Sequence, residues 1–201
     1  MATPFRWTVD CESDWGGRTE STDGVRHGLP IILELFRERN IKALFFFSTE
    51  LLENFTELET GTVKLLKLVM SEGHAIGSHG HFHTRYPSIN RYTHDRRLST
   101  SILENLGVAE PQYRAPKFNK FTWSFCRPYS DPQNHIGLLK MMWFGAKPTK
   151  DTIFYLHPFD ITGSKKDPPN LFCGLWYSKP NKALHLLKNL IQKYPGSQRL
   201  K

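Results

Sequence analysis

The chain is poor in cysteine, with three in 201 residues. Cys11, Cys126 and Cys173 lie far apart and form no C-x-x-C pair, so the sequence supports neither a disulfide framework nor a cysteine zinc site. Long hydrophobic runs are also missing. The longest, such as Ala43 to Phe47, fall far short of the roughly 18 residues of a membrane span. The first residues carry no apolar signal-sequence core, and with the reduced cysteines this makes a cytoplasmic location the expectation. There is no internal repeat, no low-complexity stretch and no dividing linker. One domain spanning 1–201 is expected. Runs of one charge are short too. The net charge is +8, yet no run of Lys or Arg exceeds two, as in Arg96-Arg97 and Lys165-Lys166. With no nucleic-acid motif, the basic residues read as a solvated surface, compatible with an anionic substrate and not with nucleic-acid binding. Aromatic residues are plentiful instead, 14 of them Phe, and apolar residues make up 39% of the chain. That composition is enough for a packed core and excludes a disordered chain.

Short apolar runs alternate with longer amphipathic ones. Strands are expected at Phe5–Val9, Ile41–Phe47, His74–Ser78, Gln112–Ala115 and Thr152–Leu156. Helices are expected at Gly24–Arg39, Thr62–Ser71, Tyr92–Leu106 and Asn181–Lys193. Residues 118–150 are rich in aromatics and proline and give no clear element. The alternation predicts an α/β fold with parallel strands, either an open doubly wound sheet or a small incomplete barrel. Both place ligands at the C-terminal ends of the strands.

Polar residues collect at those ends. Asp10, Glu12 and Asp14 follow the first strand, and His79, His81 and His83 follow the third. Arg114 follows the fourth and His157 the last. Three carboxylates in a turn can be no more than a helix cap, and a lone Arg-x-Pro or His-Pro means little. Two imidazoles four residues apart with a carboxylate have the makings of a three-ligand catalytic metal site. Such a metal lowers the pKa of bound water to about 7 and polarises a carbonyl oxygen. A second carboxylate can act as base, a histidine across the pocket as acid, and an arginine can hold the base in place. The parts are those of a metal-dependent hydrolase of amides or esters.

The ordered stretches Thr8-Val9-Asp10-Cys11-Glu12-Ser13-Asp14, Gly73-His74-Ala75-Ile76-Gly77-Ser78-His79-Gly80-His81-Phe82-His83, Tyr113-Arg114-Ala115-Pro116 and Tyr155-Leu156-His157-Pro158 resemble the motifs of polysaccharide deacetylases. These are the NodB-homology domains of carbohydrate esterase family 4. Ile41–Phe47 also resembles that family's second strand, and the likeness covers roughly residues 5 to 160. It implies a distorted, incomplete (β/α) barrel of about seven parallel strands in one domain. It also implies removal of an acetyl group from an N-acetylated sugar, such as a precursor of a surface polysaccharide or glycolipid. The implied cofactor is one divalent metal ion, zinc first, with cobalt, nickel, manganese or iron as substitutes.

Carried over residue by residue, Asp10 resembles the base that prepares a metal-bound water, His157 the acid, and Arg114 the residue orienting the base. His79 and His83 resemble metal ligands. The family's usual pair of adjacent aspartates is interrupted by Cys11, so the third ligand falls to Asp14 or Glu12, with the Cys11 thiolate a further alternative. The turn at Trp15-Gly16-Gly17 favours Asp14, and an acid-x-acid-acid-Trp branch of the family is the nearer likeness. Trp15 and Tyr113 are the expected substrate contacts, and Trp123, Trp143 and Trp176 are further candidates for stacking on sugar rings. The acid that should polarise His157 is open among Asp131, Asp151 and Asp160. Two other readings stay open: hydrolysis of a non-sugar C–N amide, and a carbohydrate-binding protein whose site has decayed. The oligomeric state is not legible in the sequence.

Overall fold

A computed structural model of the chain describes residues 6–17, 19–53, 61–82, 88–113, 135–148, 152–163 and 167–194. The chain opens with β1 (Arg6–Cys11), a single turn α1 (Asp14–Gly17) and α2 (Asp23–Glu38). Then come β2 (Leu44–Phe47), the turn α3 (Glu50–Glu53), α4 (Thr62–Ser71) and β3 (Ala75–Ser78). Next are α5 (Ile89–Asn105), β4 (Gln112–Tyr113), β5 (His135–Gly137) and α6 (Leu138–Phe144). The last elements are β6 (Ile153–Leu156), a 3-10 turn (Pro158–Asp160), α7 (Leu171–Trp176) and α8 (Pro180–Lys193).

The strands form one sheet in the order β4-β3-β2-β1-β6-β5, and every neighbouring pair is parallel. This bears out the α/β, parallel-sheet expectation. The described residues form one open sheet of six strands, and the expected incomplete barrel of about seven strands is not confirmed by them. The chain steps outward from β1 through β2, β3 and β4, then returns on the other side. β1 and β6 are therefore hydrogen-bonded neighbours, with Val9 opposite Leu156. A crevice above the strand ends at such a reversal is where open α/β sheets bind ligands.

All four residues of β2 are buried, as a strand covered on both faces requires. α2 buries Val25, Leu29, Ile32, Leu33 and Phe36, the stripe that its 3.6-residue period puts on one side. Trp7 fills the space between this stripe and the sheet, edge-on to Phe36 at 5.5 Å and to Phe154 at 4.9 Å. No helix among the described residues is long and apolar enough to cross a membrane.

His74 supports the opposite end of the sheet. It is buried, and its Nδ1 accepts a hydrogen bond from the Ala43 N–H at 3.2 Å. Burial, aided by the nearby Lys42 charge, lowers its pKa from 6.5 to about 4 against the weaker pull of Glu72. The unfolded chain takes up this proton near pH 6.5 and the folded chain only near pH 4. Stability is therefore lost as pH falls through that window, by about 3 kcal/mol at most. Denaturant unfolding at pH 7.5 and 4.5 should show the loss in the parent and a shallower pH dependence in His74→Gln. Equal pH slopes would remove His74 as the cause.

Candidate active site

β1 ends in Asp10-Cys11 and Glu12 follows it directly, and extended backbone sends alternate side chains to opposite sides. Cys11 goes down into the core, fully buried. Burial, with the Asp10 and Glu12 charges beside it, pushes its thiol well above the ordinary range. Its side chain packs among the core residues, on the side of the strand away from Asp10 and Glu12. Asp10 and Glu12, two residues apart, rise together at the strand end, and both are buried.

His79 follows β3, anchored through its own N–H to the Phe47 carbonyl at 2.8 Å. Its Nε2 lies 3.3 Å from Glu12 Oε2 and 4.0 Å from Asp10 Oδ2. From the other side, His157 follows β6 with its Nε2 3.4 Å from Glu12 Oε1. Glu12 thus holds a histidine at each of its two oxygens. The site sits over β1, β3 and β6, brought together by the sheet order.

His157 is held by Asp160. The carboxylate accepts the His157 N–H at 2.8 Å, and its Oδ2 lies 3.4 Å from His157 Nδ1. Burial by itself would favour the neutral ring, but Asp160 first, then Glu12 and Asp10, outweigh it and raise the pKa to about 10. Of the three acids open for this partner, Asp160 is the one found in place. Asp131 and Asp151 lie outside the described residues.

Asp14 does other work. Its Oδ1 accepts the Gly24 N–H at 2.9 Å and its Oδ2 the Ser21 hydroxyl at 2.6 Å. Thr22, at the N-cap of α2, makes no side-chain capping bond, and the fully buried Asp14, at the start of α1, caps that helix instead. Asp14, the expected third metal ligand, thus has both oxygens engaged at the entry to α2, and the carboxylate beside His79 is Glu12, the other acid open for that place. Trp15, an expected substrate contact, is buried against Phe159 and Tyr177, at ring distances of 6.2 and 5.5 Å. His83 and Arg114 lie outside the described residues, as does the side chain of Tyr113, the last residue of β4.

One residue was not anticipated. Asp95, buried on the inward stripe of α5 with Tyr92, Ser99 and Leu103, accepts the N–H groups of His81 and Phe82 at 3.0 and 3.1 Å. It pins the loop between His79 and His83. The signal in the sequence was an acid at a core-facing helical position. His81 itself is a buried loop histidine, its Nδ1 3.0 Å from the Thr49 hydroxyl. Gly80, at φ +89°, breaks the extended run between His79 and His81.

The donor set fits a divalent cation in part. Two ligands of a tetrahedral ion with bonds of about 2.0–2.1 Å stand roughly 3.3 Å apart. The separation of Glu12 Oε2 from His79 Nε2 is 3.3 Å, longer than a good hydrogen bond and suited to sharing an ion. Among the described residues no group of three His, Cys, Asp or Glu is disposed as a complete ligand shell.

The profile of the polysaccharide deacetylase family matches residues 22–134, more than half of the chain. The chain belongs to that family. Over 102 residues it is 26% identical to a peptidoglycan-N-acetylglucosamine deacetylase of Bacillus cereus, covering 47% of this chain and 34% of that protein. It thus spans about a third of the length of this curated relative. Among solved structures, a family 4 carbohydrate esterase pseudoenzyme from Bacillus anthracis superposes over 96% of this chain and 61% of its own. The TM-score is 0.55 at 15% identity. A family 4 carbohydrate esterase from Streptomyces lividans, in complex with acetate, covers 93% of this chain and 88% of its own, with TM-score 0.52 at 12% identity. A peptidoglycan N-acetylglucosamine deacetylase with a bound hydroxamate covers 100% and 94%, with TM-score 0.52 at 16% identity. At these identities the likenesses establish the fold.

Proposed function

We propose that the chain is a metal-dependent hydrolase that removes an acetyl group from an N-acetylated sugar. Membership of the family supports the reaction class. The observation that carries the reading is the Glu12 carboxylate set between His79 and His157, with Asp10 beside it. Glu12 and His79 would hold a divalent ion, with His83 as the third ligand carried over from the family motif. Zinc, or a similar ion bound there, supplies a Lewis acid for the amide carbonyl and lowers the pKa of water.

The chain's own residues supply the proton transfers. Asp10, at the end of β1, takes a proton from the attacking water, and Arg114 orients its carboxylate. His157 gives a proton from Nε2 to the leaving amine, while Asp160 holds the opposite ring nitrogen and fixes the tautomer. Tyr113, beside Arg114, remains the proposed substrate contact.

The test is acetate release from N-acetylglucosamine oligosaccharides with added zinc or cobalt. Release should cease on chelation and return with metal. Activity that survives both chelation and His79→Ala would instead identify a metal-free amidase. Glycan binding without bound metal or acetate release would identify a carbohydrate-binding protein.

A further inference from the structure

α7 has two unlike faces. Cys173 is buried with Trp15 and Phe159, which fixes the helix next to the His157 turn. The other face is bare: Leu171 is 80% exposed, Phe172 68% and Leu175 60%. The end of α6 extends this surface, with Phe144 71% exposed and its ring 5.7 Å from Trp176. Phe172 stacks on Trp176 at 5.7 Å, and Trp143 Nε1 donates to the Trp176 carbonyl at 2.7 Å. The result is one continuous apolar patch built on two short helices, of the kind that marks an interaction surface.

Its surroundings are of one charge. The described residues 135–148 and 167–194 carry six lysines and a single acid, Asp167. Lys140 is exposed on α6 and Lys147 just beyond its end, while Lys179 and Lys182 are exposed at the start of α8. Lys179 lies over the Trp143 ring at 4.8 Å. A second copy of the chain would bring these lysines against each other. A sugar would stack on the rings, but it has no use for Leu171 and Leu175 standing free beside them. Exposed aromatic and leucine side chains with Lys179 against them and further exposed lysines on the same two segments are the composition of a surface that enters the headgroup region of an anionic bilayer.

We propose that this face docks on an anionic lipid bilayer. Phe144, Leu171, Phe172 and Leu175 enter the boundary between headgroups and acyl chains, and the lysines meet the lipid phosphates. This docking does not depend on the catalytic reading. It would hold the His157 turn about one helix diameter from the membrane surface.

The full chain should co-sediment with vesicles of equal parts phosphatidylcholine and phosphatidylglycerol, and not with phosphatidylcholine alone. Phe172→Ser combined with Leu175→Ser should weaken binding about tenfold or more. Lys179→Glu and Lys182→Glu should each weaken it roughly fivefold. Because both apolar side chains are exposed, the double variant should keep the parent's circular dichroism and melting temperature. Failure of the parent to bind anionic vesicles would overturn the proposal. So would equal binding by a folded double variant, or lipid-free self-association that the double variant abolishes. Specific binding of a soluble glycan by the patch, lost in the double variant, would also overturn it in favour of a sugar platform.

Discussion

Glu12→Gln is expected to lose divalent metal and to lower acetate release by on the order of 10³, while Asp14→Ala keeps both and loses stability. The first effect follows from removing a charged donor at the point where His79 and His157 converge. A metal's stabilisation of developing charge is worth several kcal/mol, and each 1.36 kcal/mol is tenfold in rate. The second follows from Asp14 capping α2: its removal leaves the buried Gly24 N–H without its acceptor and costs about 2 kcal/mol. Metal per chain and denaturant unfolding, measured on both variants, separate the two roles. Metal lost from Asp14→Ala and retained in Glu12→Gln would reverse the assignment.

Gly28→Ala should be among the most damaging single-methyl changes in the chain. A Cβ at Gly28 would fall 2.1 Å from the Pro158 carbonyl oxygen and 2.7 Å from its carbon. Both are backbone atoms, so relief requires that α2 or the Pro158–Asp160 turn move bodily. Over-packing of this kind costs about 3 kcal/mol. Gly24, one helical turn earlier, is as close to Phe159, so α2 cannot escape by sliding. The turn carries His157, and the displacement should therefore also lower turnover in whatever fraction remains folded. The unfolding midpoint measures the first effect, and acetate release per folded molecule the second. A variant as stable and active as the parent would show that the close approach of helix and turn is absent in solution.

Much of the fold was legible because its long elements have local causes. The helix at Thr62–Ser71 is found over the predicted residues, and the α2 stripe reads directly from its apolar spacing. β5 and α6 were not legible. His135–Gly137 is three residues long and is a strand only because it pairs with β6, a partner no local pattern discloses. α6 follows it at once, inside the aromatic and proline-rich stretch. In the site, residue types and order pointed to the strand ends, but the choice between Glu12 and Asp14 turned on backbone direction. The two-residue alternation from Asp10 favours Glu12. The burial of Trp15 was not legible, because it depends on Tyr177 and Phe159, far along the chain.

The pairing of β1 with β6 also governs how the molecule can be made. A ribosome delivers Asp10 and Glu12 near the start and His157 near the end, so the two halves of the site meet only when most of the chain has been synthesised. Until Ile153–Leu156 emerges, β1 has a partner on its β2 side and a bare row of N–H and C=O groups on the other. Such an open edge, flanked by Trp7 and Val9, is a template for pairing with another nascent chain. Closing so long a loop also makes late, slow assembly of the site the default. A chain cut short before β6 should therefore be an aggregating fragment that depends on chaperones, and not a weak enzyme.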